Sequence, residues 1–226
     1  MPALPSLDAH GTLLLPEMRV AGVALRAGKV VFAFHAPGTL DVTEAGVAVF
    51  DGVLKASPFR VVLAELAVAL TVKFDGLRLD ELVLFVPQAL AEAHGRAEGQ
   101  IAFAWTAAGG LSFGDGWLRL AEGTPASVRL APVPGLITGQ LPPENPARSA
   151  LSRVELGRTP ISLRLLHAEF HPAGDGAGRT ATLKLEGEPV DPQLIAPLRI
   201  DVNVAGPLDQ LVRLGLDDRM KTRGAP

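Results

Sequence analysis

Residues 66–75 read LAVALTVKFD, and along this run apolar side chains alternate with small, hydroxyl-bearing or charged ones. Successive side chains of a β-strand point to opposite faces of a sheet, so a period of two indicates a half-buried strand. The apolar parity consists of Leu66, Val68, Leu70, Val72 and Phe74. The run therefore predicts a strand of about nine residues, with one apolar face and one polar face.

The same alternation recurs along the chain, and turn signals separate the runs. The apolar parities contain Val30, Phe32 and Phe34; Phe59, Val61 and Leu63; Ile101, Phe103 and Trp105; Val128 and Leu130; Ile161, Leu163 and Leu165; Leu183 and Leu185; and Leu198, Ile200, Val202 and Val204. The turn signals are Pro37-Gly38, Asp51-Gly52, Asp75-Gly76, Gly109-Gly110, Asp115-Gly116 and Gly174-Asp175-Gly176. Glycine supplies the positive φ that hairpin turns require. We therefore predict a mainly β, antiparallel fold: a curved sheet, or taco-like β-groove, with two or three short helices.

Helical patterns are few. Residues 80–94 begin at an N-cap aspartate and are followed by a glycine, although Pro87 should kink or split such a helix. Residues 145–154 predict a short amphipathic helix, and residues 207–216 predict a last one. Because so few helices are available to cover the apolar parity, the sheet must cover itself or be covered by something other than protein.

The composition excludes several classes of protein. The chain has 226 residues, of which 48% are hydrophobic, and a formal net charge of -3. Such a chain folds rather than staying disordered, and it has no electrostatic basis for binding nucleic acid. It contains no cysteine, which excludes disulfides, a cysteine nucleophile and thiolate metal sites. We predict no cofactor.

Targeting signals and membrane spans are not predicted. Residues 1–10 lack the basic and apolar regions of a signal peptide. The longest uncharged stretch, residues 99–114, is too short and too rich in glycine to span a membrane. We expect one β-rich module over residues 1–216, with a weak internal boundary near residues 132–146, and a frayed tail over residues 217–226.

One cluster of side chains has spacing that suits a metal ion. His167, Glu169 and His171 lie two residues apart, which on a strand would direct all three to one face. Leu163 and Leu165 share that parity, so a bulge is expected near Leu165. The structural alternative is a solvent-facing strand edge, which we favour, because the pattern alone supplies no context for a metal site.

Other motifs have structural interpretations. Gly174, Gly176 and Gly178 resemble part of a phosphate-binding loop, but a strand follows them rather than a helix, so we predict a plain turn. Trp105 and Trp117 flank a glycine hairpin; a role at a lipid interface is conceivable, and core packing is the simpler expectation. The sequence contains no catalytic constellation, and we expect a protein that is not an enzyme.

The order of these features resembles a known family. The features are a helical pattern with the apolar run LVLFV at residues 82–86, the phrase GRAEGQIAF at 95–103, a strand WLRL at 117–120, a short helix near 150–156, a strand pair around 174–178, and the closing PLRIDVNVAGPL at 197–208. This arrangement resembles the C-terminal part of YdbH-like proteins, within the broader AsmA-like group of bacterial envelope proteins. The resemblance covers residues 46–215, approximately.

The resemblance implies a function and a location. Family members are expected to be long β-groove proteins that are anchored in the inner membrane and carry phospholipids across the periplasm for outer membrane biogenesis. The implied partners are phospholipid acyl chains and outer-membrane or periplasmic proteins. A chain of this length would supply only a terminal segment of such a bridge. A dicarboxylate-transport function, also associated with the group, is not favoured, because a small dianion needs convergent Arg or Lys side chains.

Three hypotheses about function follow. The first is a lipid-conducting β-module whose acyl-chain surface consists of Leu66, Val68, Leu70, Val72, Phe74, Ile101, Phe103, Trp105, Ile200, Val202 and Val204. The second is a structural or adhesion-type β-sandwich in which the same side chains form a sealed core. The third is a metal-dependent enzyme that uses His167, Glu169 and His171. Alternation is the same in a groove and in a sandwich, so the sequence leaves the first two open.

Overall fold

The computed structural model describes residues 8–20, 23–83, 89–194 and 197–206. These residues form one large antiparallel sheet of 13 strands with two short α-helices. The mainly β, antiparallel fold predicted from the alternation is therefore confirmed.

The strands are β1 Asp8–Val20, β2 Val23–His35, β3 Thr39–Val49, β4 Gly52–Ala56, β5 Phe59–Val62, β6 Ala67–Arg78, β7 Leu90–His94, β8 Arg96–Thr106, β9 Gly110–Leu120, β10 Ala126–Leu130, β11 Ile161–Phe170, β12 Ala181–Pro189 and β13 Leu198–Val204. The helices are α1 Leu79–Val83 and α2 Arg148–Glu155, and a 3-10 turn covers Thr138–Gln140. The predicted helix at 145–154 is thus confirmed as α2. The predicted helix at 207–216 and the tail at 217–226 lie outside the described residues.

Most neighbouring strands are consecutive in the chain. The spatial order is β1-β2-β3-β4-β6-β8-β9-β11-β10-β7, with β5 between β3 and β6 and with β12 and β13 added beside β11. In the described residues, β1, β7 and β13 each pair with a single strand. Among the described strands, the sheet is therefore built largely of hairpins, and these three strands are its edges.

Four of the six turn predictions are confirmed, and two are wrong. Glycine turns join consecutive strands at 37–38, 51–52, 109–110 and 174–176. Asp75-Gly76 lies within β6 and Asp115-Gly116 lies within β9, and at both places the register with β8 shifts. These glycines mark β-bulges, which need the same conformational freedom as a turn.

The helix predicted over residues 80–94 is only partly present. The described helix α1 covers Leu79–Val83, residues 84–88 lie outside the described part of the chain, and Leu90–His94 form strand β7 instead of a helix. Ala93 pairs with Val128 of β10 and is fully buried. Pairing with β10 therefore overrides the weak helical pattern beyond Pro87.

Two residues predicted to lie in strands lie in a turn. Leu63 and Leu66 belong to the connection between β5 and β6, and Leu66 has a φ of 45°. Leu66 therefore lies outside the strand whose apolar parity it was expected to begin. The remaining members of that parity, Val68 to Phe74, lie in β6 as predicted.

Strand β11 contains the predicted bulge. Its register with β12 shifts between Leu163 and Leu165, so that Arg164 is the additional residue. Leu163 and Leu166 are buried, whereas Leu165 is exposed. The expectation that Leu165 shares a face with Ile161 and Leu163 is therefore wrong, because the bulge turns it to the opposite face.

A buried core lies towards one end of the sheet. It consists of Leu79, Val83, Ala93, Ala97, Ala126, Val128, Leu130, Val154, Ile161, Leu163, Leu166 and Leu185. Strand β8 begins at this end, where Ala97 pairs with Leu120 of β9. We call it the closed end. The tip end is the opposite one, where β8 turns into β9 at residues 107–109.

A buried carboxylate fixes the long loop that follows β10. Glu155 of α2 accepts hydrogen bonds from the backbone N–H groups of Ile137 (3.0 Å) and Thr138 (2.9 Å) and from the Thr138 hydroxyl (2.7 Å). The Val133 N–H donates to the Glu155 carbonyl. The proline-rich residues 132–146 are thus attached to α2. Their role as a domain boundary, within a module of residues 1–216, stays a prediction.

Candidate functional site

The apolar residues of β6 and β8 lie on one face of the sheet. Cross-strand partners in an antiparallel sheet project from the same face. The partners are Val68 with Trp105, Leu70 with Phe103, Val72 with Ile101, and Phe74 with Gly99. The structure therefore brings together the side chains that the sequence predicts to line an apolar surface on these two strands.

The same face continues to the last described strand. From Phe74 a row of partners runs through Gly99, Leu118, Ala168 and Leu183 to Val202 of β13. On β13, Ile200 pairs with Leu185 and Val204 pairs with Ala181. All the predicted lining residues except Leu66 thus share one face, which we call the apolar face.

The lining residues named from the sequence cover only part of the apolar face. Leu54 of β4 pairs with Phe74, and Val47 of β3 pairs with Leu54, so the face extends in the other direction as well. Further members are Phe32, Phe34, Leu40, Val42, Phe113 and Leu118. The hairpin turns at 37–38 and 51–52 were the signal that could have placed β3 and β4 beside the identified strands.

Aromatic rings pack across the apolar face where a glycine leaves room. A Cβ atom on Gly99 would lie 2.4 Å from Cζ of Phe74 and 2.2 Å from the Trp117 carbonyl oxygen. The Phe74 ring therefore lies over the backbone of β8. Nearby, the rings of Phe103 and Phe113 are 5.3 Å apart and tilted by 58°.

The apolar face is buried at the closed end and partly open elsewhere. Leu185 in the core is 2% exposed, whereas Trp105 is 40% exposed and Val202 41%. Between these extremes, Val68, Leu70, Val72, Phe74, Ile101 and Phe103 are half-buried. A second protein layer would bury these side chains fully. In the described part of the chain, the middle of the apolar face is accessible from outside.

The opposite face of the sheet carries charge. Ion pairs on it join Lys29 to Glu44 (2.7 Å) and Arg119 to Glu98 (2.6 Å). These residues belong to the parity opposite to that of Val30 and Leu118. The sheet is therefore two-sided, with a hydrated face and an apolar one.

The histidine cluster lies on the charged face. The ring Nε2 of His167 is 3.1 Å from Oε1 of Glu169, and this hydrogen bond holds the pKa of Glu169 below its usual value. His171 lies 3.9 Å from Glu169 and 3.4 Å from Asp115. The prediction that spacing by two places the three residues on one face is thus correct.

An open pocket of about 440 Å³ surrounds this cluster. Its lining also includes Gln100, Asp115, Gly116, Trp117 and Arg119. Among the described residues, no group of three or more His, Cys, Asp or Glu side chains is arranged to hold a metal ion. The metal-enzyme hypothesis therefore has no geometric support in this part of the chain.

The two tryptophans lie on opposite faces. Trp105 lies on the apolar face opposite Val68, while Trp117 pairs with Gln100 on the charged face. The Arg119 guanidinium lies 5.1 Å from the centre of the Trp117 ring, a cation–π contact. Core packing was the simpler expectation for both, and it is wrong for both, because Trp105 is exposed and Trp117 is half-buried on the charged face, outside the core.

The glycine-rich segment after β11 is a turn, as predicted. One carboxylate oxygen of Asp175 accepts hydrogen bonds from the N–H groups of Ala177 (2.9 Å) and Arg179 (2.8 Å). The other oxygen accepts one from the Arg179 side chain. An aspartate thus takes the donors that a phosphate-binding loop would offer to its ligand.

Comparison with known proteins gives one match. A model of the YdbH-like family, described as intermembrane phospholipid transport protein YdbH, matches residues 4–134. The match includes strands β1 to β10 and ends where the proline-rich loop begins. No curated protein and no solved structure matches the chain. In the described residues, no helix is long and apolar enough to cross a membrane.

Proposed function

Because this chain belongs to the YdbH-like family, we propose that its apolar face binds phospholipid acyl chains and conducts them as a segment of an intermembrane lipid transport protein. The family suggests intermembrane phospholipid transport. The proposal adds the surface, the ligand group and a mechanism without chemical catalysis. It also assigns the chain to the periplasm of the bacterial envelope.

The physical requirement for such transport is shelter for hydrocarbon. Burial of one methylene contributes about 0.8 kcal/mol, so exposing a sixteen-carbon chain to water costs on the order of 12 kcal/mol. A continuous apolar surface removes most of this barrier without any reaction. The headgroup then stays in water beside the sheet.

A single observation carries the proposal: the apolar face is continuous across strands and only half-buried in its middle. The sandwich hypothesis requires the same side chains to be buried under a second layer. A dicarboxylate ligand is not favoured either, because the row from Phe74 to Val202 contains no cationic side chain.

The proposal is tested by charge on the apolar face. Replacement of Val68 and Val72 by Asp (V68D/V72D) should leave the half-exposed strand folded and lower the phospholipid recovered by organic extraction and mass spectrometry by about tenfold. The matched control is A69D/T71D, which adds the same charges to the opposite face of β6 and should retain lipid.

A second variant guards against loss of the fold. Val202 lies on the described edge strand β13 and is 41% exposed, so V202D should fold even if the double variant does not. Reduced lipid in folded V202D supports the proposal. Folded variants of the apolar face that retain as much lipid as A69D/T71D would contradict it, and so would wild-type protein that carries no phospholipid.

A further inference from the structure

The tip end of the sheet exposes several large apolar side chains. Trp105 is 40% exposed and Leu111, its cross-strand partner in the β8–β9 hairpin, is 53% exposed. In the turn between β5 and β6, Leu63 is 43% and Leu66 is 47% exposed. We call residues 105–111 and 63–66 together the apolar tip.

The two parts of the apolar tip are neighbours. Ala67 pairs with Val62 across the β5–β6 turn and with Thr106 at the end of β8. Both loops therefore project from adjacent strands at the same end of the sheet. Their exposed side chains therefore lie at one end of the sheet, away from the core at the closed end.

The hairpin part of the apolar tip is uncharged, and two hydroxyl groups are hydrogen-bonded within the hairpin. Residues 105–114 contain no charged side chain. The Thr106 hydroxyl oxygen accepts a hydrogen bond from the Gly109 N–H (2.9 Å), and the Ser112 hydroxyl donates to the Ala104 carbonyl (3.2 Å). Polar groups that are paired within the hairpin cost less to transfer out of water than unpaired ones.

The composition of the apolar tip fits a bilayer better than a protein partner. Its turn consists of Ala107, Ala108 and Gly109, which offer no large side chain to fill a pocket on a partner. Tryptophan, in contrast, is enriched at membrane–water interfaces because its ring is amphipathic. The single charge in the two loops is that of Glu65.

We infer that the apolar tip inserts into the interface of a phospholipid bilayer and so brings the tip end of the apolar face against the membrane. This inference rests on the proposed function and specifies where lipid enters or leaves. Trp105 lies opposite Val68, so an acyl chain that leaves the bilayer at the tip meets the apolar face directly. Because the tip carries no cation, docking requires neither anionic lipid nor low salt.

The test is co-flotation of the full chain with vesicles of phosphatidylcholine. Wild-type protein should float with the vesicles, equally well in high salt and after addition of phosphatidylglycerol. Leu111→Asp should lower the bound fraction by about tenfold, since it removes an exposed leucine that the bilayer would bury and adds a charge. Glu65→Gln should raise it. Leu14→Asp is the matched control: Leu14 is an exposed leucine on the charged face, opposite Lys29, and its variant should float as wild type does.

The outcomes separate this inference from the proposed function. Folded L111D that floats as well as L14D would overturn the inference, as would wild-type protein that carries phospholipid but does not float. If flotation needs phosphatidylglycerol, the contact with the bilayer is electrostatic rather than apolar, and the inference is overturned too.

The inference is also overturned if the apolar tip joins two copies of this chain. In that case wild-type protein does not float, and L111D changes the oligomeric state. V202D that floats but carries little lipid supports both conclusions, whereas floating wild-type protein without lipid would contradict the proposed function alone.

Discussion

The carboxylate of Glu155 is the clearest case of one residue that links separate parts of the fold. Burial alone raises the pKa of Glu155, but the hydrogen bonds from Thr138 and Ile137 outweigh that effect and lower it to about 2. The charged form is therefore the one that holds the loop over residues 132–146 against α2. Nothing in the sequence pattern singled out this glutamate, because two of its three partners are backbone N–H groups and the third is a threonine hydroxyl 17 residues away.

Acid should release this clamp. The pKa of Glu155 is lower in the folded chain than its usual value of 4.5, so its contribution to stability is complete above about pH 4.5 and is lost as the pH falls towards 2. Glu155→Gln should lower the free energy of unfolding at neutral pH by roughly 2 kcal/mol, because an amide cannot accept all three hydrogen bonds. Urea unfolding of both proteins across this pH range measures the effect. An equal acid dependence in the two proteins would contradict this role.

At the scale of the element, the bulge in β11 keeps the apolar face continuous. Arg164 and Leu165 together oppose Glu186, so Leu163 and Leu166 point to the same face although they are three residues apart. If the strand instead paired regularly through Arg164, alternation would place Leu165 and His167 on the apolar face and Leu166 on the charged face. The bulge therefore explains why histidines and leucines change sides along this strand.

Deletion of single residues tests this account. Removal of Arg164 should be tolerated, because it restores regular pairing and leaves Leu166 and Ala168 on the apolar face. Removal of His167 should unfold the strand, since it turns Ala168 and Phe170 to the charged face. Circular dichroism and thermal unfolding of the two deletion variants report the difference. Equal melting temperatures would show that register is not set by this bulge.

How much the sequence predicts depends on how regular each strand is. The even alternation of β6 made it predictable, whereas β3 was missed because its register with β2 shifts beside Thr43 and breaks the period of two. Strand β7 looked helical because only its pairing with β10 buries Ala93. Alternation predicts that each strand has two faces. The register that aligns Phe74 with Val202 across the sheet is set by turns and bulges, and the alternation does not predict their geometry.

At the scale of the whole molecule, the two ends of the sheet differ in how firmly they are held. The closed end has a buried core with contributions from both helices, while the apolar tip contributes no residue to that core. Backbone amides open at a free-energy cost that follows local burial. We therefore expect the local free energy of unfolding to be highest at the closed end and lowest at the apolar tip.

Hydrogen exchange measures this gradient. Amide protons of Val128 and Ile161, which pair with each other in the core, should exchange the most slowly. Those of Ala107 and Ala108 should exchange faster by orders of magnitude, and vesicles should slow them if the tip inserts. Uniform protection along β8 and β9 would contradict the division into a closed end and a tip end.

The unbroken succession of aliphatic and aromatic side chains across the strands has a kinetic consequence. A hydrocarbon tail displaced sideways by one strand, about 4.8 Å, exchanges one set of nonpolar neighbours for another of the same kind. Because every side chain of the row is nonpolar, we expect no single position to hold the tail much more tightly than its neighbours. Such a smooth energy profile favours rapid sliding over tight retention, and it discriminates poorly between tails that differ in length or saturation.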